Sequence, residues 1–477
     1  LAGNKSNKVI YKNGVNVREL ALDILLNKEK GEDKDHMLLK AVQDKYDYLP
    51  ESDKGFLKRL VNGTYEYRLK IDYVIDEFSR TKVKAMKPLI RELMRLSVYQ
   101  IMYMDRVPDS AACNEAVKLA GKRGFKGLTG FVNGVLRAIA RGYKDIKWPD
   151  SSVDPIRAMS IEYSCPELIV RSLTDDYGGE ITRACLESSL SEDRGVYVRI
   201  DEGLGEERVR EIAELIPGAI PAHGKDTGED TGDDPVRVSD ITGDAIPYER
   251  MYYAVRTAEA DKVTQMSEFR EGLITIQDIS SMTVCEMADI DSLKSEGELK
   301  ILDMCASPGG KSMHMASVLK RHGIKGHIAS LDISEYRKDT MDENIRRMGL
   351  TDVISTGVWD ATVYNEGFTE CFDLVIADLP CSGLGVMGRK PDIKYGLDAA
   401  GMEELVTLQR RILDNAVRYV RPGGRLIYST CTMRRAENDD GSDYILKRGG
   451  FTERSRRQLF LSNEHDGFYI SVLDRDR

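Results

Sequence analysis

From Val15 to Arg141 apolar residues return every three or four positions, the spacing of helices with one buried face. VRELALDILL gathers Leu20, Leu22, Ile24 and Leu25 near one side, and LIRELMRLSVYQIMYM (89–104) repeats the pattern. TGFVNGVLRAIARG sets Phe131, Val135 and Ile139 four residues apart and predicts a helix with its C-cap at Gly142. Such stripes are core faces far more often than ligand sites. The polar, proline-bearing stretch KWPDSSVDP (147–155) closes this helical region.

Beyond it the pattern mixes periods. PELIVRSLTDDYG and EITRACLESSL read as two helices, GVYVRI (195–200) as a strand, EERVREIAELI as a helix, and strands recur near MYYAVR and LITIQ. That is a small α+β module. From about Gly272 strands and helices alternate: LKILDMC, then KSMHMASVLKRHG; GHIASLDIS, then EYRKDTMDENIRRMG; VISTGVWD; FDLVIADLP; and RLIYSTCT after the long helix MEELVTLQRRILDNAVRYV. Repeated βα units predict a parallel, doubly wound sheet that binds its ligands at the carboxyl ends of the strands. The expected domains are therefore 1–147, 148–270 and 271–477.

Charge sharpens this division. The 477 residues carry a net charge of −10, yet residues 1–147 hold 29 Lys and Arg against 19 Asp and Glu. A net of +10 there leaves −20 for the rest. A basic module for a polyanion on an acidic body is one reading; solvated helix faces are the other. Lys82, Lys84, Lys87, Lys122, Lys126, Lys144, Arg123, Arg137 and Arg141 cluster near predicted helix ends and could face one phosphate backbone. The acidic HGKDTGEDTGDDP (223–235) lacks the glycine and final glutamate spacing of a calcium loop and reads as a flexible surface loop. Eight cysteines without a C-x-x-C pair argue against a zinc site or a disulfide framework. With no long apolar span and no apolar secretory leader, the expectation is a cytoplasmic, metal-free protein, and a monomer.

The strand ends carry the candidate chemistry. After the first strand of the alternating region comes DMCASPGGK, where Gly309 and Gly310 let a backbone approach a ligand at a helix start. It is neither G-x-G-x-x-G nor a phosphate loop, despite ending GGKS. The next strand ends at Asp332, placed to accept ribose hydroxyls, and the third at Asp360, available to an adenine amine. The fourth offers Asp378 and Cys381, the fifth Cys431. Each acidic residue alone could be a helix N-cap. Together they predict a nucleoside-cofactor cleft with two thiols at its rim, and position does not rank the thiols.

DMCASPGGK, ADLPCSGLGVMGRKPDIKY and STCTMRRAEN resemble the motifs of RNA 5-methylcytosine methyltransferases that use S-adenosylmethionine. Within them the chain is similar to the bacterial RsmB/Sun family, which methylates small-subunit (16S) ribosomal RNA, over nearly its full length. VPDSAACNEAV and GFVNGVLR resemble that family's NusB-type helical domain, ITIQDISS its entry into the catalytic domain, and HDGFYISVL its last strand. The implied architecture is an all-α NusB-like RNA-binding domain, a small α+β RNA-positioning module and a Rossmann-like α/β methyltransferase domain.

The resemblance also implies roles. Cysteine in the Thr-Cys motif, Cys431, is the nucleophile; Cys381 of the Pro-Cys motif aids product release; Asp378 contacts the cytosine. Cofactor contacts fall on Cys305, Ala306, Ser307, Pro308, Gly309, Gly310 and Lys311, and on Asp332, Asp360 and Asp378. Lys311 is also an electrostatic aid to the thiolate. C5 of cytosine is a poor nucleophile, and a thiolate adding at C6 activates it, which is why such an enzyme needs a cysteine. Ser307, Thr432, Arg435 and Ala436 depart from the usual motif residues, while Glu437 and Asn438 match. A transfer-RNA cytosine-5 methyltransferase is the nearest rival, and a non-catalytic RNA-binding or transcription factor a remote one.

Overall fold

The computed structural model describes residues 16–30, 49–191, 194–221, 253–293 and 297–477. The acidic insertion at 223–235 lies outside the described residues. The chain divides into two compact units, Leu1–Val170 and Arg171–Arg477.

The described part of the first unit is helical, with helices at Val17–Lys30, Glu51–Glu66, Arg68–Phe78, Pro88–Tyr103, Asp109–Lys122, Thr129–Gly142 and Pro155–Glu162. Pro88–Tyr103 is its axis. It is apolar on more than one face, and Ile90, Leu93, Met94, Leu96, Val98 and Ile101 are all buried. Pro88 opens it at a position where a missing N–H costs no helical bond. Leu20, Leu22, Ile24, Leu25, Val135 and Ile139 join the same core, with Phe131 partly buried against it. Arg95 is buried there too, because its Nε and Nη2 donate to the two oxygens of Asp72 at 2.7 and 2.6 Å.

Three findings differ from the expectations. Gly142 has φ −133°, and the chain continues into a 3-10 turn at Tyr143–Asp145 rather than a left-handed cap. Glycine serves packing instead, since a Cβ there would lie 3.2 Å from the Phe78 ring. The basic cluster is partly neutralised, because Lys122 and Arg123 pair with Glu19 at 2.6 and 3.1 Å. Residues 148–170, expected in the middle module, fall in the helical unit, where Leu69 N–H donates to Ser164 Oγ at 2.9 Å.

In the second unit the helix Glu167–Ser189, which begins just before it, is interrupted at Gly178 (φ 82°, ψ 168°), so two helices stand where two were expected. Strands β1 (Val196–Ile200), β2 (Ile220–Pro221), β3 (Ala254–Thr257) and β4 (Ile274–Ile276) form an antiparallel sheet ordered β2-β3-β1-β4. The larger sheet contains β5 (Leu299–Asp303), β6 (Gly326–Asp332), β7 (Ile354–Val358), β8 (Phe372–Asp378), β9 (Val420–Thr430), β10 (Phe451–Leu459) and β11 (Phe468–Arg475). Their order is β10-β11-β9-β8-β5-β6-β7, parallel from β9 to β7 and antiparallel around β11. The path of the chain reverses between β5 and β8, which opens a crevice at their carboxyl ends. β10 was not expected. Its charged sequence FTERSRRQL suits an edge strand, where Arg456 pairs with Asp439 and Asp443 at 3.1 and 2.8 Å.

The smaller sheet shares one of the two apolar clusters that pack on the larger sheet. One buried apolar cluster runs from Val198 and Ile200 of β1 through Ile279 and Met282 to Ile301, Ile376 and Ile470 of the larger sheet.

Candidate functional site

β5, β6 and β8 each end on an aspartate; in the parallel register Asp303 stands opposite Ser330 and Ile376, so Asp332 and Asp378 lie two residues further along, and Asp378 stands opposite Ser429. The turn after β5 holds the glycine-rich loop. Gly309 has φ 97°, and a Cβ on it would stand 3.0 Å from Met341 Cγ, so both its backbone angle and its space favour glycine. The helix Gly310–Arg321 starts immediately after, bringing Lys311 to the crevice.

Lys311 is the hinge of the site. Its Nζ donates to Asp378 Oδ2 at 2.6 Å, with the two side chains only 12% and 26% exposed. Burial lowers the Lys311 pKa, but the charge and hydrogen bond of Asp378, with Asp303 and Cys431 behind, outweigh it and hold the ammonium charged. Asp378 Oδ1 accepts from Ser429 Oγ at 2.8 Å, so both carboxylate oxygens have donors. Asp303 is fully buried; Ser312 Oγ donates to its Oδ2 at 2.6 Å, while Oδ1 has no hydrogen-bond partner among the described residues. Burial pushes its pKa up to about 6.

Cys381 Sγ lies 3.4 Å from Cys431 Sγ. The hydrogen bond from the Cys381 thiol holds the Cys431 pKa below the ordinary value. Burial and Asp378 oppose this; the positive charges of Lys311 and Lys390 assist it. The same contact, and then burial, push the Cys381 thiol well up. The pair is thus polarised, with Cys431 the better anion and Cys381 its donor. Their loops are pinned together by buried polar groups. Ser382 and Thr432 hydroxyls meet at 2.7 Å, Ser382 N–H donates to Glu437 Oε2 at 2.7 Å, and Arg434 Nη1 donates to Glu437 Oε1 at 2.9 Å. Asn438 Nδ2 donates to the Thr432 carbonyl at 3.0 Å. Gly385 is wedged between the two segments: its N–H donates to the Cys431 carbonyl at 3.0 Å, and its own carbonyl accepts from Gly467 N–H at 2.9 Å.

The expected residues fall into two groups. Cys305 to Lys311 and Asp332 line one side, where Asp332 Oδ2 accepts from Ser307 N–H at 3.3 Å and Oδ1 from Ser334 N–H at 3.2 Å. Asp378, Cys381 and Cys431 stand on the other, and Lys311 joins them. Burial holds the Cys305 thiol well up, which makes it a poor anion. Asp360 follows β7 and uses Oδ1 in its own turn, accepting from Thr362 N–H and Oγ1 at 2.9 and 2.7 Å. Arg435, a departure from the usual motif, is accommodated: its N–H donates to Asp176 at 3.1 Å and its guanidinium lies over the Tyr177 ring.

Ser429 and Lys390 belong to the site and were not anticipated. A serine inside a strand and a lysine in a loop carry no local signal. Glu202, Glu286 and His314 form a second buried cluster, with potential ligand atoms within 4.8 Å of one another. Arg321 pairs with both carboxylates, and Tyr253 donates to Glu286 at 2.7 Å. That cluster fastens helix Gly310–Arg321 to the smaller sheet.

A ribosomal RNA small subunit methyltransferase B of Bacillus subtilis, so described as probable, is 34% identical over 425 residues, 89% of this chain and 86% of that protein. The chain belongs to the RsmB/F family. The family profile, described as 16S rRNA methyltransferase RsmB/F, matches residues 291–467, and the NusB family profile matches 15–141. A Proteus mirabilis ribosomal RNA small subunit methyltransferase B is 25% identical, covering 90% of this chain and 92% of its own. Among solved structures, that of PH0851 has TM-score 0.71 at 21% identity, covering 98% of this chain and 100% of its own. A methyltransferase homologue from Pyrococcus horikoshii reaches 0.52 at 19% identity, covering 68% and 99%. Both share the fold. For this RsmB/F family member, the Rossmann-like sheet and the helical NusB domain expected from the sequence are thereby established, as is membership of a methyltransferase family.

Proposed function

We propose that this protein methylates C5 of one cytosine in small-subunit (16S) ribosomal RNA, using S-adenosylmethionine and a covalent cysteine–C6 adduct. The polarised Cys381–Cys431 pair, 3.4 Å apart beside the Lys311–Asp378 ion pair, carries this reading. N-methylation of an exocyclic amine would need no thiol.

S-adenosylmethionine, when bound, supplies an electrophilic methyl group. Residues present fit it. The Gly309 turn is packed so closely that a Cβ would meet Met341 at 3.0 Å, Asp303 Oδ1 lacks a partner among the described residues, and Cys305, Ala306, Ser307, Pro308, Gly309, Gly310 and Lys311 would hold the cofactor. Asp332 has acceptor capacity left for ribose hydroxyls, since a carboxylate offers about four lone pairs. Asp360 would take the adenine amine with the oxygen its turn does not use.

Cys431 as thiolate adds to C6, which makes C5 nucleophilic. Asp378, paired with Lys311 at 2.6 Å, accepts from the pyrimidine N3–H of the adduct or from the exocyclic amine. C5 would then take the methyl group, the sulfonium being left as a neutral thioether, a base would remove the C5 proton, and Cys431 would leave by β-elimination, with Cys381 aiding product release. The target cytosine must leave its stack to reach this crevice. The exposed lysines and arginines of the helical domain bind phosphate, with an affinity that falls as salt rises. Three modules act together in this scheme, a helical module, an α+β module and a methyltransferase domain, in a cytoplasmic monomer.

The test is a pair of variants. Cys431→Ala abolishes methyl transfer, and Cys381→Ala leaves a protein–RNA complex that survives a denaturing gel. The reverse pattern overturns the assignment. Bisulfite sequencing of ribosomal RNA from a deletion strain identifies the cytosine, and retention of every unconverted site rejects this substrate.

A further inference from the structure

Arg389 sits outside the crevice, yet its guanidinium ties three distant segments together. Nε donates to both oxygens of Asp466 at 2.9 and 3.1 Å, Nη2 to Asp278 Oδ2 at 2.9 Å, and Nη1 to the Gly195 carbonyl at 3.3 Å. Asp278 in turn accepts from Asp466 N–H at 3.3 Å and caps the helix Ile279–Glu286 through Ser280 N–H. The residue after Asp466 is Gly467, whose N–H holds the Gly385 carbonyl; Gly385 N–H holds the carbonyl of Cys431. A Cβ at Gly385 would fall 1.9 Å from the Gly467 oxygen and 2.9 Å from the Cys431 oxygen, so this stack has no slack.

We propose that Arg389 is a positioning residue for the nucleophile, fixing Cys431 against Cys381 through the Asp466–Gly467–Gly385 relay. This inference rests on the reading of Cys431 as nucleophile. Without Arg389, the buried carboxyl of Asp466 stays beside partly buried Asp278 with the charge of Arg194 still opposing their repulsion, which protonation of Asp466 or opening of the turn would relieve. The other charged or titratable groups here are few. Arg194 comes from the preceding segment, its guanidinium against the Gly388 backbone, and His465 directs Nδ1 to the Asp466 carbonyl at 3.0 Å. Burial and Asp278 already push the Asp466 pKa up to about 7 with Arg389 in place. Removing Arg389 therefore creates a defect that deepens as pH rises. A packing defect alone has no such dependence.

The experiment uses the full chain carrying Arg389→Gln, with Arg389→Lys and Arg389→Gln/Asp466→Asn beside it. Methyl transfer, S-adenosylmethionine affinity by calorimetry, and the iodoacetamide alkylation rate of Cys431 relative to Cys371 are measured at about pH 6 and about pH 8.5. Arg389→Gln should lower kcat and slow Cys431 alkylation by roughly tenfold to a hundredfold at the higher pH, the loss expected from misplacing a reacting group by about 1 Å. The defect should shrink at the lower pH while cofactor affinity stays unchanged. Adding Asp466→Asn should remove the pH dependence, and Arg389→Lys should recover part of the rate even if Arg389→Gln does not fold. Equal losses at both pH values, or no change in Cys431 alkylation in any variant, overturn the proposal. Slowed alkylation with undiminished methyl transfer would leave the relay standing and remove the nucleophile role.

Discussion

Replacing Cys381 by alanine separates two roles that a single activity assay merges. At 3.4 Å Cys381 is placed to donate to Cys431, which lowers the Cys431 pKa before any RNA is present. A hydrogen bond to a charged acceptor contributes about 1.5–3 kcal/mol, and a thiol donor belongs at the weak end. Losing about 1.4 kcal/mol of thiolate stabilisation lowers the thiolate population near neutral pH about tenfold. Lys311 and Lys390 still favour the anion, so the effect is partial. The assay is iodoacetamide labelling of Cys431 across pH, read by peptide mass spectrometry, with the exposed Cys371 as internal control. Cys381→Ala should slow labelling at neutral pH about tenfold and leave the alkaline limit unchanged. Unchanged or faster labelling at neutral pH would mean that the contact does not acidify Cys431. The same variant still accumulates the RNA adduct, because the adduct persists when release fails, however slowly it forms.

Other consequences follow from the same geometry. Asp303 has a native pKa of about 6, above its unfolded value, so it binds more protons when folded between about pH 4 and 6 and its contribution falls as pH rises through that window. The loss is on the order of 3 kcal/mol, and Asp303→Asn should flatten this part of the urea-unfolding stability profile. Glu437→Ala removes a fully buried carboxylate that holds Arg434 at 2.9 Å, leaving Arg434 with Glu403 at 3.5 Å and the Met402 carbonyl at 3.3 Å, and should cost about 3 kcal/mol in urea unfolding. A shift below about 1 kcal/mol would place that pair among those that contribute little. Mild diamide oxidation should join Cys381 to Cys431 and spare Cys371, seen by peptide mapping; a cross-link elsewhere would contradict the short contact.

The strand ends were readable because their signals are local: an apolar run, then Asp332, or Asp378 with Cys381, at a fixed offset. The two-helix reading of 166–190 survived because Gly178 breaks the helix within its own sequence. What escaped depends on partners far along the chain. Ser429 becomes part of the site only through Asp378, 51 residues away, and Arg389 through Asp278, 111 residues away. β10 hides because an edge strand exposes both polar faces and loses the alternation that marks half-buried strands. Strand position does not rank the thiols, since both follow apolar strands, and the attack falls to Cys431 through the family resemblance of its motif.

The shared core of the two sheets makes them one cooperative folding unit. Val198 and Ile200 of the smaller sheet lie in the same apolar cluster as Ile301 and Ile376 beneath the crevice, so neither sheet can melt without exposing the other. A truncation that removed β1–β4 would strip the catalytic sheet of part of its interior. Loosening the smaller sheet at Ile200 should therefore reach the thiol pair as a loss of order, felt by the chemistry although no contact with substrate has been touched.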